Sequence, residues 1–122
     1  MSANDLSATA QAMVASGKGV LAADESTATI GKRFAALGVE STEENRRAYR
    51  DMLLSTDNLS EFVSGVILYD ETIRQASADG TPFPAMLAKR GILPGIKVDT
   101  GAKNLAGAPG EQITEGLDGL RE

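Results

Sequence analysis

Lys97 and the carboxylates near it are the side chains of this sequence best suited to chemistry. Lys97 lies between Ile96 and Val98 in a short apolar run, and Asp99 follows two residues later. In an extended strand, residues two apart share a face, so Lys97 and Asp99 are expected on the same side. A lysine is almost never fully buried without a partner. We therefore expect Lys97 to act at a site, to form a structural ion pair with Asp24 or Asp99, or to extend its ammonium group to solvent.

A second group of side chains is suited to binding an anion. Ser26 to Thr29 offer helix-capping hydroxyl groups, and a helix is predicted to begin near Thr29. Lys32 and Arg33 would then lie in its first turn, where two cations oppose the helix dipole. A bound phosphate or carboxylate would resolve that conflict, because the free N–H groups of a helix N-terminus attract anions. The alternative is a pair of cations tolerated on an exposed turn.

The composition excludes several classes of chemistry. The 122 residues include no His and no Cys, which removes the commonest general base, thiol catalysis, disulfides and a conventional zinc site. The 12 Lys and Arg against 17 Asp and Glu give a net charge of −5, which argues against nucleic acid or an anionic membrane surface as a partner. No run approaches the ~18 apolar residues of a membrane span, and Met1 to Val20 lack the features of a secretory signal.

Three short apolar runs predict buried strands that position these side chains. They cover residues 19–25, 65–71 and 95–99, and the first two both begin Gly-Val and end Asp-Glu. Apolar strands that alternate with helices are typical of a parallel sheet covered by helices. Ligands bind at the carboxyl ends of the strands in such folds, which is where each run carries its acids. For Asp70 and Asp99 the alternative is that they only cap the turns that follow.

Helical spacing of apolar residues predicts the elements between the strands. Helices are expected over residues 6–14, 29–37, 42–53, 71–77 and 85–90. The apolar face of the third of these is expected to consist of Ala48, Tyr49, Met52 and Leu53. The charged residues between Glu43 and Arg50 are interpreted as its solvated face. Residues 100–110 are predicted to be a Gly- and Pro-rich loop, and a last helix is expected to begin near Gln112 or Gly116.

Several strings of residues carry a resemblance to one known family. They are the segments 17–27, 42–47, 65–68, 95–99 and 112–120. In this order they resemble the class I fructose-bisphosphate aldolases, which work through a lysine Schiff base. The resemblance spans nearly the whole chain from Gly17 onward. Residues 1–16 are interpreted as an N-terminal helix or arm.

The resemblance implies a fold and an activity. The fold is α/β, a (β/α)8 TIM barrel, of which residues 1–122 would be the N-terminal portion of a single barrel domain, with about three of the eight strands. The activity is that of a lyase of glycolysis, the reversible cleavage of fructose 1,6-bisphosphate to dihydroxyacetone phosphate and glyceraldehyde 3-phosphate. The resemblance also implies a cytoplasmic enzyme that needs neither cofactor nor metal, binds a phosphorylated sugar, and forms a homotetramer when complete.

Six positions match site residues of the family. Asp24 matches the first-strand aspartate, which hydrogen-bonds the nucleophilic lysine or a substrate hydroxyl, and Lys97 matches the active-site lysine of the third strand. The positions that contact substrate phosphate are matched by Ser26, Thr29, Lys32 and Arg33. Thr29 keeps the hydroxyl group where the family has serine.

Other site residues of the family have no match in these 122 residues. They are the Schiff-base lysine, its glutamate acid/base partners, a further lysine and the loop for the second phosphate. A complete barrel takes ~250 residues, so we expect the chain to be a portion of an aldolase and to be inactive alone. Two hypotheses of other kinds remain: a non-catalytic phosphate-binding or assembly module, and an enzyme that forms its Schiff base at Lys97.

Overall fold

The computed structural model describes residues 2–116, which form six helices and five strands. The helices are α1 (Ala3–Met13), α2 (Thr27–Ala36), α3 (Glu43–Leu54), α4 (Leu59–Phe62), α5 (Asp70–Ile73) and α6 (Phe83–Lys89). The strands are β1 (Gly19–Ala23), β2 (Val63–Leu68), β3 (Leu93–Ile96), β4 (Ala102–Asn104) and β5 (Gln112–Thr114).

The first three strands form one parallel sheet in the order β1-β2-β3. This confirms the predicted parallel α/β arrangement. The third strand differs in its bounds, because β3 ends at Ile96 and Lys97 follows it. The Lys97 N–H still donates to Leu68 O at 2.8 Å, so the ladder continues one residue past the strand. The carboxyl ends of all three strands therefore meet at one edge.

Two glycines allow the strands to approach each other. A Cβ atom at Gly65 would lie 3.3 Å from Leu93 O, and one at Gly95 would lie 3.3 Å from Val66 O. Both distances are tighter than ordinary van der Waals contact. Close packing of the strands therefore explains why these two positions are glycine.

Hydroxyl side chains begin the three longest helices. Ser2, Ser26 and Thr42 are the N-cap residues of α1, α2 and α3, and each side-chain oxygen accepts a backbone N–H three residues later. Such a cap satisfies one of the free N–H groups of a helix start. Because Ser26 is the cap, α2 begins at Thr27, two residues before the predicted start.

The hydrophobic core lies between the sheet and the helices that cover one of its faces. Its buried residues are Ala23, Leu54, Val66, Leu68, Phe83, Leu87 and Ile92. The expected apolar face of α3 is wrong in part, since Ala48 and Met52 are exposed while Tyr49 and Leu53 are half-buried. The side chains that α3 buries most are Arg46, Arg50 and Leu54.

The end of the described chain is a hairpin, where a loop and a helix had been predicted. Strands β4 and β5 pair antiparallel, with Lys103 opposite Ile113. The prediction of a helix from Gln112 is therefore wrong, because Gln112 begins β5. A helix that begins at Gly116 would lie beyond the described residues.

Candidate active site

The carboxyl edge of the sheet brings Lys97 and two carboxylates together. Lys97 Nζ lies 3.3 Å from Asp24 Oδ2 and also donates a hydrogen bond to Asp99 Oδ1. Asp24 directly follows β1, and Lys97 directly follows β3. The three side chains are half-buried, with a quarter of the Lys97 side chain exposed to solvent. The ion pairs offered as an alternative for Lys97 are thus both formed.

These contacts fix the charge of Lys97. The hydrogen bond to Asp99 raises the pKa of Lys97, with a smaller contribution from Asp24, while burial acts in the opposite direction. The same bond from Lys97 lowers the pKa of Asp99. The cluster therefore carries one ammonium and at least one carboxylate at neutral pH. A partly exposed ammonium group at a strand end can bind an anion if that anion replaces one of the two carboxylates.

Ser26 and Thr29 lie at the start of α2, two and five residues beyond Asp24. Ser26 Oγ accepts the Thr29 N–H at 3.3 Å and lies 3.2 Å from Thr29 Oγ1. Both hydroxyl groups are therefore at the helix N-terminus. Their position next to Asp24 in the chain places the anion-binding candidates and the Lys97 cluster at the same end of β1.

Lys32 and Arg33 do not lie in the first turn of α2, so that prediction is wrong. The helix begins at Thr27, which places both cations in its second turn, and Arg33 belongs to the last turn. A cation in the last turn agrees with the helix dipole, so the predicted electrostatic conflict is absent. The Arg33 guanidinium instead donates to Glu25 Oε1, a contact that raises the pKa of Arg33. Lys32 is exposed and forms no ion pair within residues 2–116.

A buried charge cluster was missed by the sequence analysis. Arg46 Nε and Nη2 donate to the two carboxylate oxygens of Glu71 at 2.8 and 2.7 Å, and Arg50 Nη1 donates to the same carboxylate. Arg46 and Arg50 are 8% and 4% exposed, so the interpretation of this helix face as solvated is wrong for these two residues, while Glu43 and Glu44 are exposed. The hydrogen bonds from Arg46 do most to lower the pKa of Glu71, to about 2, against the effect of burial.

The sequence contained a signal for this cluster. Arg46 and Arg50 are four residues apart, which puts them on one face of a helix. Glu71 follows the second apolar run by the same offset as Glu25 follows the first. Arg50 also lies over the Tyr69 ring, 6.0 Å from its centroid, and donates to Gln75 Oε1 at 3.0 Å.

Two kinds of feature are absent from residues 2–116. Among residues 2–116, no group of three or more His, Cys, Asp or Glu side chains could hold a metal ion. No helix in the described part of the chain is long and apolar enough to cross a membrane.

Comparison with known proteins gives the family. The family model of class I fructose-bisphosphate aldolases matches residues 5–122. The chain belongs to the class I fructose-bisphosphate aldolase family. The resemblance drawn from the five strings of residues is therefore confirmed.

Two curated aldolase relatives show how far the likeness extends. The chain is 64% identical over 121 residues to a probable fructose-bisphosphate aldolase class 1 of Xanthomonas campestris, covering 99% of the chain and 36% of the relative. It is 56% identical over 118 residues to the cytosolic fructose-bisphosphate aldolase 6 of Arabidopsis thaliana, covering 97% of the chain and 33% of the relative. The chain thus spans about a third of the length of the curated aldolases it matches.

A solved aldolase structure shows the fold. The chain superimposes with a TM-score of 0.89 and 50% identity on fructose-bisphosphate aldolase from Plasmodium falciparum, solved in complex with TRAP and a small-molecule inhibitor. The superposition covers 96% of the chain and 34% of that aldolase. The three parallel strands and their helices are therefore part of an aldolase TIM barrel, as predicted, and the barrel is incomplete within the described residues.

Proposed function

We propose that the protein containing this chain is a fructose-bisphosphate aldolase that cleaves fructose 1,6-bisphosphate reversibly through a lysine Schiff base. The observation that carries the proposal is the contact between Lys97 and Asp24 at the carboxyl edge of the sheet, in a chain of the aldolase family. The lysine that attacks the ketose carbonyl is not among these 122 residues. The iminium ion formed there would accept the electrons of the broken carbon–carbon bond. Residues 1–122 alone do not catalyse the reaction.

Asp24 and Lys97 are proposed as the catalytic residues that this chain contributes. Asp24 would hydrogen-bond the nucleophilic lysine or a substrate hydroxyl and so orient it for reaction. Lys97 is held as a cation by its two carboxylate partners. Its ammonium group would stabilise the negative charge of the phosphorylated substrate, most strongly where water is excluded.

A phosphate site on α2 is the second part of the proposal. Ser26, Thr29, Lys32 and Arg33 would contact one substrate phosphate. The support is that the two hydroxyl groups lie at the start of the helix, and that Lys32 is exposed on the next turn. The ion pair of Arg33 with Glu25 leaves 57% of the arginine side chain exposed, so Arg33 remains accessible to an anion.

Cellular context and assembly are proposed from the relatives. We propose a cytoplasmic enzyme of glycolysis, and the relative named cytosolic supports that location. We also propose a homotetramer. Neither nucleic acid nor a membrane is proposed as a partner, in keeping with the net charge of −5.

Borohydride trapping tests the proposed reaction. The protein that carries this sequence is incubated with dihydroxyacetone phosphate, reduced with borohydride and analysed by intact mass. We expect a protein much heavier than 12.7 kDa that carries one reduced adduct, and no adduct on the 12.7 kDa chain expressed alone. An adduct on the 12.7 kDa chain would contradict the proposal and assign the Schiff base to Lys97. Absence of an adduct from the heavier protein would also contradict it.

A non-catalytic assembly module is the second candidate. It is favoured by the exposed apolar side chains on the outer strands, which include Val20 in β1 and Ile96 in β3. Such a surface can pair with another chain. A 12.7 kDa chain that is folded and heat-stable as isolated from its native cells, with no adduct, would establish this candidate instead.

A further inference from the structure

Arg46 contacts two separate parts of the chain at once. Two of its nitrogens donate to Glu71, just beyond β2. The third, Nη1, donates to the backbone oxygen of Ser41 at 2.5 Å and to its Oγ at 3.2 Å. Ser41 lies in the turn between α2 and α3. A single buried guanidinium thus joins this turn to the carboxyl end of β2.

The turn in contact with Arg46 also packs against α2. A Cβ atom at Gly31 would lie 3.6 Å from Ser41 Oγ, so the turn and the helix are in close contact immediately before Lys32. Phe34 of α2 and Tyr49 of α3 also meet edge to face, with 5.9 Å between their ring centroids. The position of the second turn of α2 relative to the sheet therefore depends on α3 and on the Ser41 turn.

The hydrogen bonds of Arg46 are suited to holding the Ser41 turn at a fixed distance from Glu71. A guanidinium that meets a carboxylate through two parallel hydrogen bonds has a defined geometry, which a lysine cannot reproduce. Glu71 is held from a second side by Arg50. Burial reduces exchange of these bonds with water, since only 10% of the Arg46 side chain is exposed.

We propose that Arg46 is a positioning residue for the phosphate site on α2. It does not touch the phosphate. It fixes the positions of Lys32 and Arg33 relative to the carboxyl edge of the sheet. This inference rests on the proposed function, because it requires that α2 binds a phosphate group. Small displacements of binding groups have large effects on affinity and rate.

The test is a titration of ¹⁵N-labelled protein with inorganic phosphate, read from the backbone amide shifts of residues 26–33. We expect Arg46→Met to weaken phosphate binding about three- to tenfold, in line with a small displacement of Lys32. Arg47→Met is the matched control. Arg47 is the adjacent arginine. It pairs with Glu44 and Asp51, donates to Ala76 O, and forms no hydrogen bond to Ser41 or Glu71. It is expected to change the affinity less than about twofold, as charge at a distance is screened.

Two more variants separate geometry from charge and from stability. Arg46→Lys keeps the charge but loses the paired hydrogen bonds, so it is expected to bind phosphate as weakly as Arg46→Met. Glu71→Gln keeps the side-chain volume and is expected to weaken binding about threefold, because one of the paired hydrogen bonds to Arg46 is lost. If Arg46→Met does not fold, Glu71→Gln tests the positioning role of Arg46 in its place.

The outcomes are distinct. Equal effects of Arg46→Met and Arg47→Met, or full affinity in Arg46→Lys or Glu71→Gln, would overturn the positioning role while leaving the phosphate site intact. Lys32→Met tests the site itself, and it should abolish the shifts of residues 26–33. If wild-type protein and Lys32→Met respond alike, the proposed phosphate site fails and the positioning role fails with it.

Discussion

At the scale of single residues, the Lys97 cluster was partly accessible from the sequence. Alternation along a strand placed Lys97 and Asp99 on one face, and both now lie in contact. Spacing alone did not decide between Asp24 and Asp99 as partner, because Asp24 is distant in the chain. Only the parallel pairing of β1, β2 and β3 brings the end of β1 to Lys97.

The role of Asp24 is tested by its replacement with Ala in the complete enzyme. We expect turnover of fructose 1,6-bisphosphate to fall at least about 100-fold, because the role proposed for Asp24 is to orient a group at the reacting centre. The fold should survive, since Asp24 is half-buried and outside the core. Steady-state kinetics and a thermal melt measure the two effects. Asp70→Asn is the control, as Asp70 is exposed and pairs with Arg74 on the surface. Turnover like that of the wild type in Asp24→Ala would contradict the role.

Lys97 is tested by comparing two substrates. Lys97→Met should raise KM for fructose 1,6-bisphosphate at least about tenfold more than KM for unphosphorylated fructose, since the lost charge would act on phosphate. Lys103→Met serves as the control, because Lys103 is an exposed lysine that pairs with Glu115 in the hairpin. Equal losses for both sugars would show that Lys97 has no role toward phosphate.

At the scale of elements, α3 shows where prediction of burial from the charge pattern of a helix fails. Charged residues on a helix usually face water, and Arg46 and Arg50 were interpreted that way. Their burial depends on Glu71, which is 25 and 21 residues away and reaches them only through the packing of α3 beside the end of β2. The four-residue spacing indicated that Arg46 and Arg50 share a helix face. A long-range ion pair has no local periodicity, so the sequence did not identify Glu71 as their partner.

The acid dependence of stability should reveal this cluster. The pKa of Glu71 is lowered from 4.5 to about 2 in the folded protein, so the stabilisation is full above pH 4.5 and is lost as pH falls through about 2. Glu71→Gln should lower the free energy of unfolding at pH 7 by about 2 kcal/mol, less than the full shift implies because the carboxylate is partly exposed. Urea unfolding from pH 7 to pH 2 measures it. The difference between wild type and variant should shrink toward pH 2. A difference independent of pH would contradict the cluster's role.

Two glycines around α2 give a matched pair of stability tests. Gly31 lies inside the helix, and its added Cβ would meet Ser41 only at 3.6 Å, so Gly31→Ala should stabilise by about 0.5 to 1 kcal/mol. Gly38 has φ of +69° after the helix end, so Gly38→Ala should destabilise by about 1 kcal/mol. Denaturant unfolding of both variants checks the signs. Loss of stability in Gly31→Ala would mean that the contact between α2 and the Ser41 turn is tighter than 3.6 Å indicates.

At the scale of the whole molecule, the sequence predicted the three-stranded parallel sheet because each strand is a short apolar run bounded by glycine. It did not predict the hairpin of β4 and β5, whose strands are exposed and three residues each. Their pairing depends on contacts across a turn, such as Leu105 N–H to Glu111 O at 3.0 Å. Glycine and proline in that turn made the whole segment look like loop.

The hydrophobic core is formed by residues that come early in the chain. Every one of its buried residues lies between Ala23 and Ile92, and together they seal only the helix-covered side of the sheet. On a ribosome, where domains fold from the N-terminus as they are made, this side can settle while later parts of the protein are still being translated. The opposite side, with Val20 exposed, stays open in the nascent chain. Within residues 2–116 the outer edge of β3 pairs with no other strand, so a further parallel strand can add to the sheet there.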